Sequence, residues 1–125
     1  MTLKLTLRPG EAVHIGKVRI VVEARSTSAI YIDGNAPVMR EAECVDPADP
    51  GPLNRVRYVL QQMYLENDRL GWLAGYHAAA AALLAAMPSE VGEIDRISGL
   101  VGADDLWSAV RAARDLSRRQ QLEAA

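Results

Sequence analysis

The sequence predicts an α+β fold in which a small antiparallel β-module is followed by a bundle of about four helices. Over residues 1–45, apolar and polar residues alternate, as they do in strands with one buried face. Residues 46–51 combine Asp, Pro and Gly, which interrupt regular structure and predict a linker. In residues 52–125, apolar side chains recur at the three- and four-residue spacing of helices, which predicts a helical bundle. Because strands and helices do not alternate along the chain, we do not expect a parallel sheet.

Five short runs predict the strands of the β-module. In residues 2–8 the leucines occupy alternate positions, and Lys4, Thr6 and Arg8 fall on the opposite face. Further apolar runs follow at residues 13–15, 18–22, 30–32 and 38–39. Breaks such as residues 9–11 and 33–35 separate the runs and favour tight turns. Short strands joined in this way indicate antiparallel pairing.

A helix over residues 52–65 is the element around which the rest of the chain is organised. Pro52 suits a first helical turn, where its missing N–H is not needed. One arc of this helix is apolar and should face a core. The opposite face carries Arg55, Arg57, Tyr58, Gln61 and Gln62. Such a mixture of cations, amides and an aromatic ring is able to bind RNA or a protein partner, and it is equally ordinary on a solvated surface.

The second predicted helix is capped by Asp68, runs to about Met87 and is rich in alanine. Residues 70–89 are nearly long enough to span a membrane, and they carry no charged side chain. However, burying alanine in a membrane contributes little free energy, and no basic cluster flanks the stretch. We therefore predict a buried central helix and no membrane contact. Both of its faces are apolar, so it is either sandwiched between neighbours or leaves one face for a partner or second subunit. His77 is expected as a core or interface histidine.

Two more helices complete the predicted bundle. After the break at Pro88, the third helix should point Val91, Ile94, Ile97, Leu100 and Val101 inward. Asp104 is expected to cap the fourth, which continues past Arg119. This last helix carries a stripe of Trp107, Arg111, Arg114 and Arg118 at steps of four, three and four residues. The stripe suits RNA or partner contact, and it equally suits a helix C-terminus that favours cations.

Composition limits the classes of function. The chain has 125 residues and a formal charge of −2, so any RNA contact must come from a local patch. Residues 1–45 carry six basic and five acidic side chains, and the remainder carries eight and eleven. The single cysteine, Cys44, cannot form an internal disulfide and is expected as a small buried hydrophobe. With no signal sequence, phosphate loop or metal-ligand spacing, we expect a cytosolic protein without catalytic residues, metal or cofactor.

The chain resembles the FlbT family of flagellar regulators. The residues that carry the resemblance are residues 3–11, 36–41, 60–61 and 63–65, together with Pro52, Arg55 and Tyr58. It covers essentially the whole chain and is strongest through residue 65. Cys44 stands where an aliphatic residue is expected, and the second helix is unusually rich in alanine.

This resemblance implies post-transcriptional control of flagellin. A small non-catalytic protein of this family acts at the 5′ untranslated region of flagellin mRNA, represses translation and promotes mRNA decay. Some members are regarded as activators of flagellin synthesis, so the direction of control in this chain stays open.

Candidate RNA contacts follow from charge placement. The β-module is also similar to the carbon-storage-regulator type of RNA-binding protein, through its alternating leucines, Gly10-Glu11, Ile15-Gly16 and residues 35–37. Cations on strand edges or turns can reach phosphates, which favours Lys4, Arg8 and Arg40. A second predicted set on the first helix is Arg55, Arg57 and Tyr58.

A different class of function is a protein-binding module. In this interpretation the chain is an adaptor or chaperone-like factor for flagellin or another flagellar regulator, and its effect on mRNA is indirect. The low net charge and the two-sided second helix favour it. The partner-binding residues would be the stripe Trp107, Arg111, Arg114 and Arg118, and a homo-oligomer is possible.

Overall fold

The computed structural model describes residues 2–23 and 25–124. The chain forms two compact units, Met1–Cys44 and Val45–Ala125. Strands make up the first unit and helices the second. The predicted α+β class and the order of its elements are therefore confirmed.

Five strands in two antiparallel sheets form the first unit. Their bounds are β1 (Thr2–Leu7), β2 (Ala12–Ile15), β3 (Val18–Val21), β4 (Ser28–Asp33) and β5 (Val38–Arg40). One sheet pairs β1 with β4, and the other has the order β3-β2-β5. Gly16 begins the two-residue turn between β2 and β3 and has a φ of 59°, which favours glycine. A single turn of 3-10 helix, Glu41–Glu43, follows β5.

The alternating leucines determine which face of the first unit is buried. Leu5, Leu7, Val13 and Val22 form its core, with partly buried isoleucines packed around them. Leu3 continues the alternation but remains 44% exposed at the start of β1. The opposite face of β1 keeps its polar side chains in solvent, as the sequence predicts.

Four helices form the second unit. Their bounds are α1 (Pro52–Leu65), α2 (Arg69–Ala86), α3 (Val91–Gly102) and α4 (Leu106–Ala124). A 3-10 turn, Pro88–Glu90, joins α2 to α3. α1 packs against both α2 and α4, and α3 packs against α4. The largest fully buried side chains of this unit are Val56, Val59, Leu60, Met63, Tyr76, Leu83, Ile97, Val101 and Leu116.

The polar side of α1 is less accessible than the sequence predicts. Gln61 is buried, and its Oε1 accepts a hydrogen bond of 2.6 Å from the backbone N–H of Val45. Arg57 and Tyr58 are half-buried, whereas Arg55 is exposed. Because α2 and α4 pack on two sides of α1, residues outside its apolar arc also become covered.

The expectation that α2 is a buried central helix is wrong. Its buried residues are Tyr76, Ala79, Ala80 and Leu83. Leu70 is 73% exposed and Leu84 is 37% exposed, and His77 lies in solvent rather than in a core. α1 covers one side of α2, so an alanine-rich apolar side remains open. Across the described residues, none of the helices combines the length and the apolar content needed to cross a bilayer.

The starts of α3 and α4 also differ from the prediction. Ile94, Ile97 and Val101 are buried as expected, but Val91 is 45% exposed in the first turn of α3. Asp104 has a left-handed φ of 60° and lies before α4. Asp105 makes the capping contact instead, since its Oδ1 accepts a hydrogen bond of 3.4 Å from the backbone N–H of Ser108.

Candidate anion-binding site on helices α1 and α4

Packing of α1 against α4 brings together arginines that are distant in sequence. Arg57 projects from α1 toward α4, where its Nη1 donates a hydrogen bond of 3.3 Å to Oγ of Ser117. Arg114 and Arg118 on α4 are close enough to act on the charge of Arg57. We call Arg57, Arg114 and Arg118 the arginine cluster.

The cluster is partly withdrawn from water. Burial lowers the pKa of the Arg57 guanidinium, and repulsion from Arg114 and Arg118 lowers this pKa further, while Asp49 raises it. Guanidinium groups are not deprotonated in proteins, so the cluster is cationic. Arg57 and Arg114 are half-buried, with Nε of Arg114 buried, and Arg118 is exposed.

Aromatic packing fixes the helices that hold the cluster. The Trp107 ring at the start of α4 lies against the Tyr64 ring of α1, with 5.1 Å between centroids. Along α4 from this contact, buried Ala113, Leu116 and Ser117 face the rest of the unit. The packing of α4 on α1 therefore determines where the arginines lie.

This arrangement suits an anion. Three like charges at one place repel each other, and each charge loses part of its hydration where it is buried. A phosphate relieves both costs, because guanidinium groups donate paired hydrogen bonds that match its oxygens. The cluster can therefore bind a phosphate of RNA or an acidic group of a protein.

The structure groups the candidate residues of α1 and α4 differently from the sequence prediction. Arg57 joins Arg114 and Arg118, so residues from both sets share one site. Trp107 serves packing against Tyr64, and Arg111 is exposed on α4.

Arg55 and Tyr58 form a separate pair on α1. The Arg55 guanidinium carbon lies 5.8 Å from the centre of the Tyr58 ring. The Tyr58 ring also meets Trp72 of α2 in an edge contact, with 6.3 Å between centroids. These contacts already occupy the half-buried tyrosine.

Lys4, Arg8 and Arg40 all belong to the first unit. Nζ of Lys4 lies 5.9 Å from the centre of the Tyr31 ring, and Arg8 is exposed just after β1. Arg40 is half-buried, and its Nη1 donates a hydrogen bond of 3.0 Å to the carbonyl oxygen of Thr6. Arg40 therefore lies beside β1.

Sequence patterns did not identify Ser117 and Asp49 as neighbours of Arg57, or Tyr31 as a neighbour of Lys4. Ser117 lies on α4 and Asp49 in the segment before α1, so neither shares a sequence pattern with Arg57. Tyr31 was available as an aromatic residue within an alternating strand, directly opposite Lys4.

Arg19, His14 and Glu41 form a separate charged group in the first unit. Arg19 holds Glu41 through two hydrogen bonds of 2.5 and 2.8 Å, and Nε2 of His14 lies 3.5 Å from the same carboxylate. This contact with Arg19 lowers the pKa of Glu41.

An open pocket beside them has a volume of about 250 Å³. It is lined by Gly10, Glu11, Ala12, Arg40, Glu41 and Ala42. Within residues 2–23 and 25–124, no three His, Cys, Asp or Glu side chains group as a metal site requires.

Comparison with known proteins shows that the sequence of this chain is similar to flagellar proteins. The sequence profile of the family described as flagellar protein FlbT matches residues 3–122. A probable flagellum biosynthesis repressor protein FlbT from Rhodopseudomonas palustris (strain TIE-1) is 29% identical over 122 residues, covering 97% of this chain and 96% of its own length. The probable flagellum biosynthesis repressor protein FlbT 1 of Bradyrhizobium diazoefficiens is 28% identical over 118 residues, covering 93% and 80% respectively. No solved structure matches the chain.

Proposed function

The chain belongs to the FlbT family, and we propose that it controls flagellin synthesis after transcription by binding the 5′ untranslated region of flagellin mRNA directly. Its relatives carry the name of probable repressors of flagellum biosynthesis. In this proposal the bound protein represses translation and promotes decay of the transcript. It performs no catalysis and acts in the cytoplasm, where the transcript is translated.

The arginine cluster is the observation that carries the proposal. The second unit has more acidic than basic side chains, yet Arg57 of α1 donates a hydrogen bond to Ser117, which stands between Arg114 and Arg118 along α4. A single strand of RNA supplies successive phosphates that can occupy such a local cationic site. The hydrogen bond to Ser117 orients Arg57 toward α4, so this side chain loses less conformational entropy when RNA binds.

A titration of the flagellin leader RNA with the purified protein tests direct binding. The double variant Arg57→Gln/Arg118→Gln should weaken affinity at least about tenfold, since hydrogen bonds to charged groups contribute about 1.5–3 kcal/mol each. Its matched control is Arg96→Gln/Arg119→Gln, which removes two arginines that pair with Glu93 and Glu90. Equal losses in the two double variants would show a general charge effect and contradict the cluster as the site.

Salt dependence provides a second measurement. Each phosphate contact contributes about 0.7 to the slope of log affinity against log salt for a single strand. The Arg57→Gln/Arg118→Gln variant should therefore have a shallower slope than wild type, whereas the control variant should keep the wild-type slope. A flat wild-type response would argue against RNA binding through phosphates.

An adaptor function is the second candidate, and the open side of α2 favours it. Leu70 and Leu84 are exposed on a helix without charge between Arg69 and Glu90. An apolar helix face of this kind can hold flagellin or another flagellar regulatory protein.

Co-migration of the purified protein with flagellin in size-exclusion chromatography tests the adaptor. Association lost in Leu70→Gln/Leu84→Gln, together with no binding of leader RNA by the protein alone, would support the adaptor and reject direct RNA control. Leader binding unchanged in Leu70→Gln/Leu84→Gln supports the first proposal.

A further inference from the structure

Tyr31 is the one exposed residue among the tyrosines and tryptophans that the structure describes. It lies on β4 and is 65% exposed. The remaining tyrosines and tryptophans in residues 2–23 and 25–124 are buried or half-buried, and each of them packs against another ring. Tyr31 therefore does not contribute its ring to the core of the first unit.

The register of β1 and β4 places polar and small residues around this ring. Lys4 is directly opposite Tyr31, and Thr6 is opposite Ala29. At the end of the ladder Asp33 is opposite Thr2 and accepts a hydrogen bond from its hydroxyl. We call Thr2, Lys4, Thr6, Ala29, Tyr31 and Asp33 the β1–β4 outer face.

Cations lie around the same face. The Lys4 ammonium stands 5.9 Å from the ring centre, Arg8 follows β1 in solvent, and Arg40 reaches the carbonyl oxygen of Thr6. Asp33 is the acidic member of the outer face, and Thr2 already donates to it. The carboxylate of Glu11 accepts a hydrogen bond of 2.6 Å from the backbone N–H of Arg8, so a second negative charge lies beside Arg8. Three cations therefore stand against two carboxylates around an exposed aromatic ring, with the Lys4 ammonium near the ring itself.

We propose that the β1–β4 outer face binds single-stranded RNA, with an unpaired base stacked on Tyr31 and adjacent phosphates held by Lys4 and Arg8. The proposal rests on the proposed function and adds a binding surface in the first unit. Sheets that bind single strands combine exposed aromatic rings with neighbouring cations in this way. Charge complementarity favours RNA, because a phosphate chain matches the cations while its bases supply flat apolar partners for the ring.

Two substitutions at Tyr31 distinguish the effect of losing the aromatic ring from an effect on the strand. Tyr31→Phe keeps the aromatic face, and Tyr31→Val keeps a residue that favours strands but removes the ring. In the full chain, Tyr31→Val should weaken binding of single-stranded oligoadenylate about tenfold, whereas Tyr31→Phe should stay near wild type. Val18→Thr on β3, which is 59% exposed in the other sheet, is the control and should leave affinity unchanged.

Ultraviolet crosslinking gives a readout that a purely structural role does not produce. Crosslinking of oligoadenylate to the wild-type chain, followed by peptide mass spectrometry, should identify Tyr31. A duplex of the same length should bind more weakly and give no crosslink there, because its bases are already stacked.

The possible outcomes distinguish this inference from the proposed function. If leader RNA binds and Tyr31→Val binds as tightly as wild type, the stacking site is rejected and direct RNA control stands. If Tyr31→Val loses binding and Arg57→Gln/Arg118→Gln does not, the stacking site stands and the arginine cluster is rejected. A wild-type chain that binds neither leader RNA nor oligoadenylate rejects both.

Discussion

At the scale of single residues, Cys44 shows how surroundings suppress reactivity. Burial raises the pKa of its thiol and the nearby Glu41 and Glu43 carboxylates add to this rise, so the pKa reaches about 11. Its Sγ also donates a hydrogen bond of 3.6 Å to the carbonyl oxygen of Arg40. An acidic, half-buried position therefore makes the single cysteine a packing residue, as the sequence predicts.

We expect Cys44 to react with iodoacetamide roughly a hundred times more slowly than a free thiol near neutral pH, because the thiolate is the reactive form. The rate should rise with pH until the thiol titrates near a pKa of about 11. Glu43→Gln should move this rise to lower pH by removing a negative charge. Alkylation at the free-thiol rate would contradict the described surroundings.

Gln61 is the residue whose burial most directly affects stability. Replacement by leucine leaves the Val45 N–H without the 2.6 Å acceptor and should lower the free energy of unfolding. The expected loss is about 1–3 kcal/mol, the usual cost of an unsatisfied buried donor. Urea unfolding followed by circular dichroism measures it, with exposed Gln121→Leu as the control. Equal stability of the two variants would show that Gln61 does not tie residue 45 to α1.

At the scale of elements, the N-terminal cap of α2 limits which residue can occupy position 71 in its first turn. The Asp68 Oδ1 accepts a hydrogen bond of 2.9 Å from the backbone N–H of Gly71 and caps the helix. A Cβ at Gly71 would overlap the Asp68 carboxylate, whereas a Cβ at Gly75 would meet nothing within 4 Å. Alanine at the first position therefore has to displace the Asp68 cap, whereas alanine at the second position displaces nothing.

Gly75→Ala should stabilise the protein by about 0.5–1 kcal/mol, because alanine loses less backbone entropy in a helix interior. Gly71→Ala should give no such gain, since the new methyl displaces the cap, which contributes about 1 kcal/mol. Thermal unfolding of both variants measures the difference. In an Asp68→Ala background, Gly71→Ala should become stabilising, and failure to do so would exclude the cap as the cause.

At the scale of the whole molecule, the two units differ in how much core they possess. The first unit buries four apolar side chains as its core cluster, Leu5, Leu7, Val13 and Val22. The second contains most of the fully buried large side chains, drawn from all four of its helices. A small unit with few buried residues buries little apolar surface, so it gains little free energy to offset the chain entropy that is lost on folding.

A fragment of residues 45–125 should therefore fold alone, with a helical circular dichroism spectrum and cooperative thermal unfolding. A fragment of residues 1–44 should be marginal, because chains of about 40 residues rarely form a stable core without a metal or disulfide. Calorimetry of both fragments and the full chain checks this. Gradual melting of the 45–125 fragment would contradict an independent helical core.

The sequence by itself determined the periodicity of each element, and this was enough for the fold class. Alternating leucines in β1, Pro52 at the start of α1 and Asp68 before α2 act through contacts within a few residues, so they could be predicted from local spacing. The start of α4 was also predicted from local spacing, although the expected cap was Asp104 and Asp105 makes the capping contact.

Only the tertiary structure decided which faces are covered and which charges meet. Packing on α1 buried Gln61 and left the outer side of α2 open, and nothing in either helix's own periodicity specifies this. The meeting of Arg57 with Arg114 and Arg118 depends on how α1 and α4 pack. Likewise, the pairing of Lys4 with Tyr31 depends on the register of β1 and β4. Sequence periodicity describes one element at a time, whereas these sites arise from contacts between elements far apart along the chain.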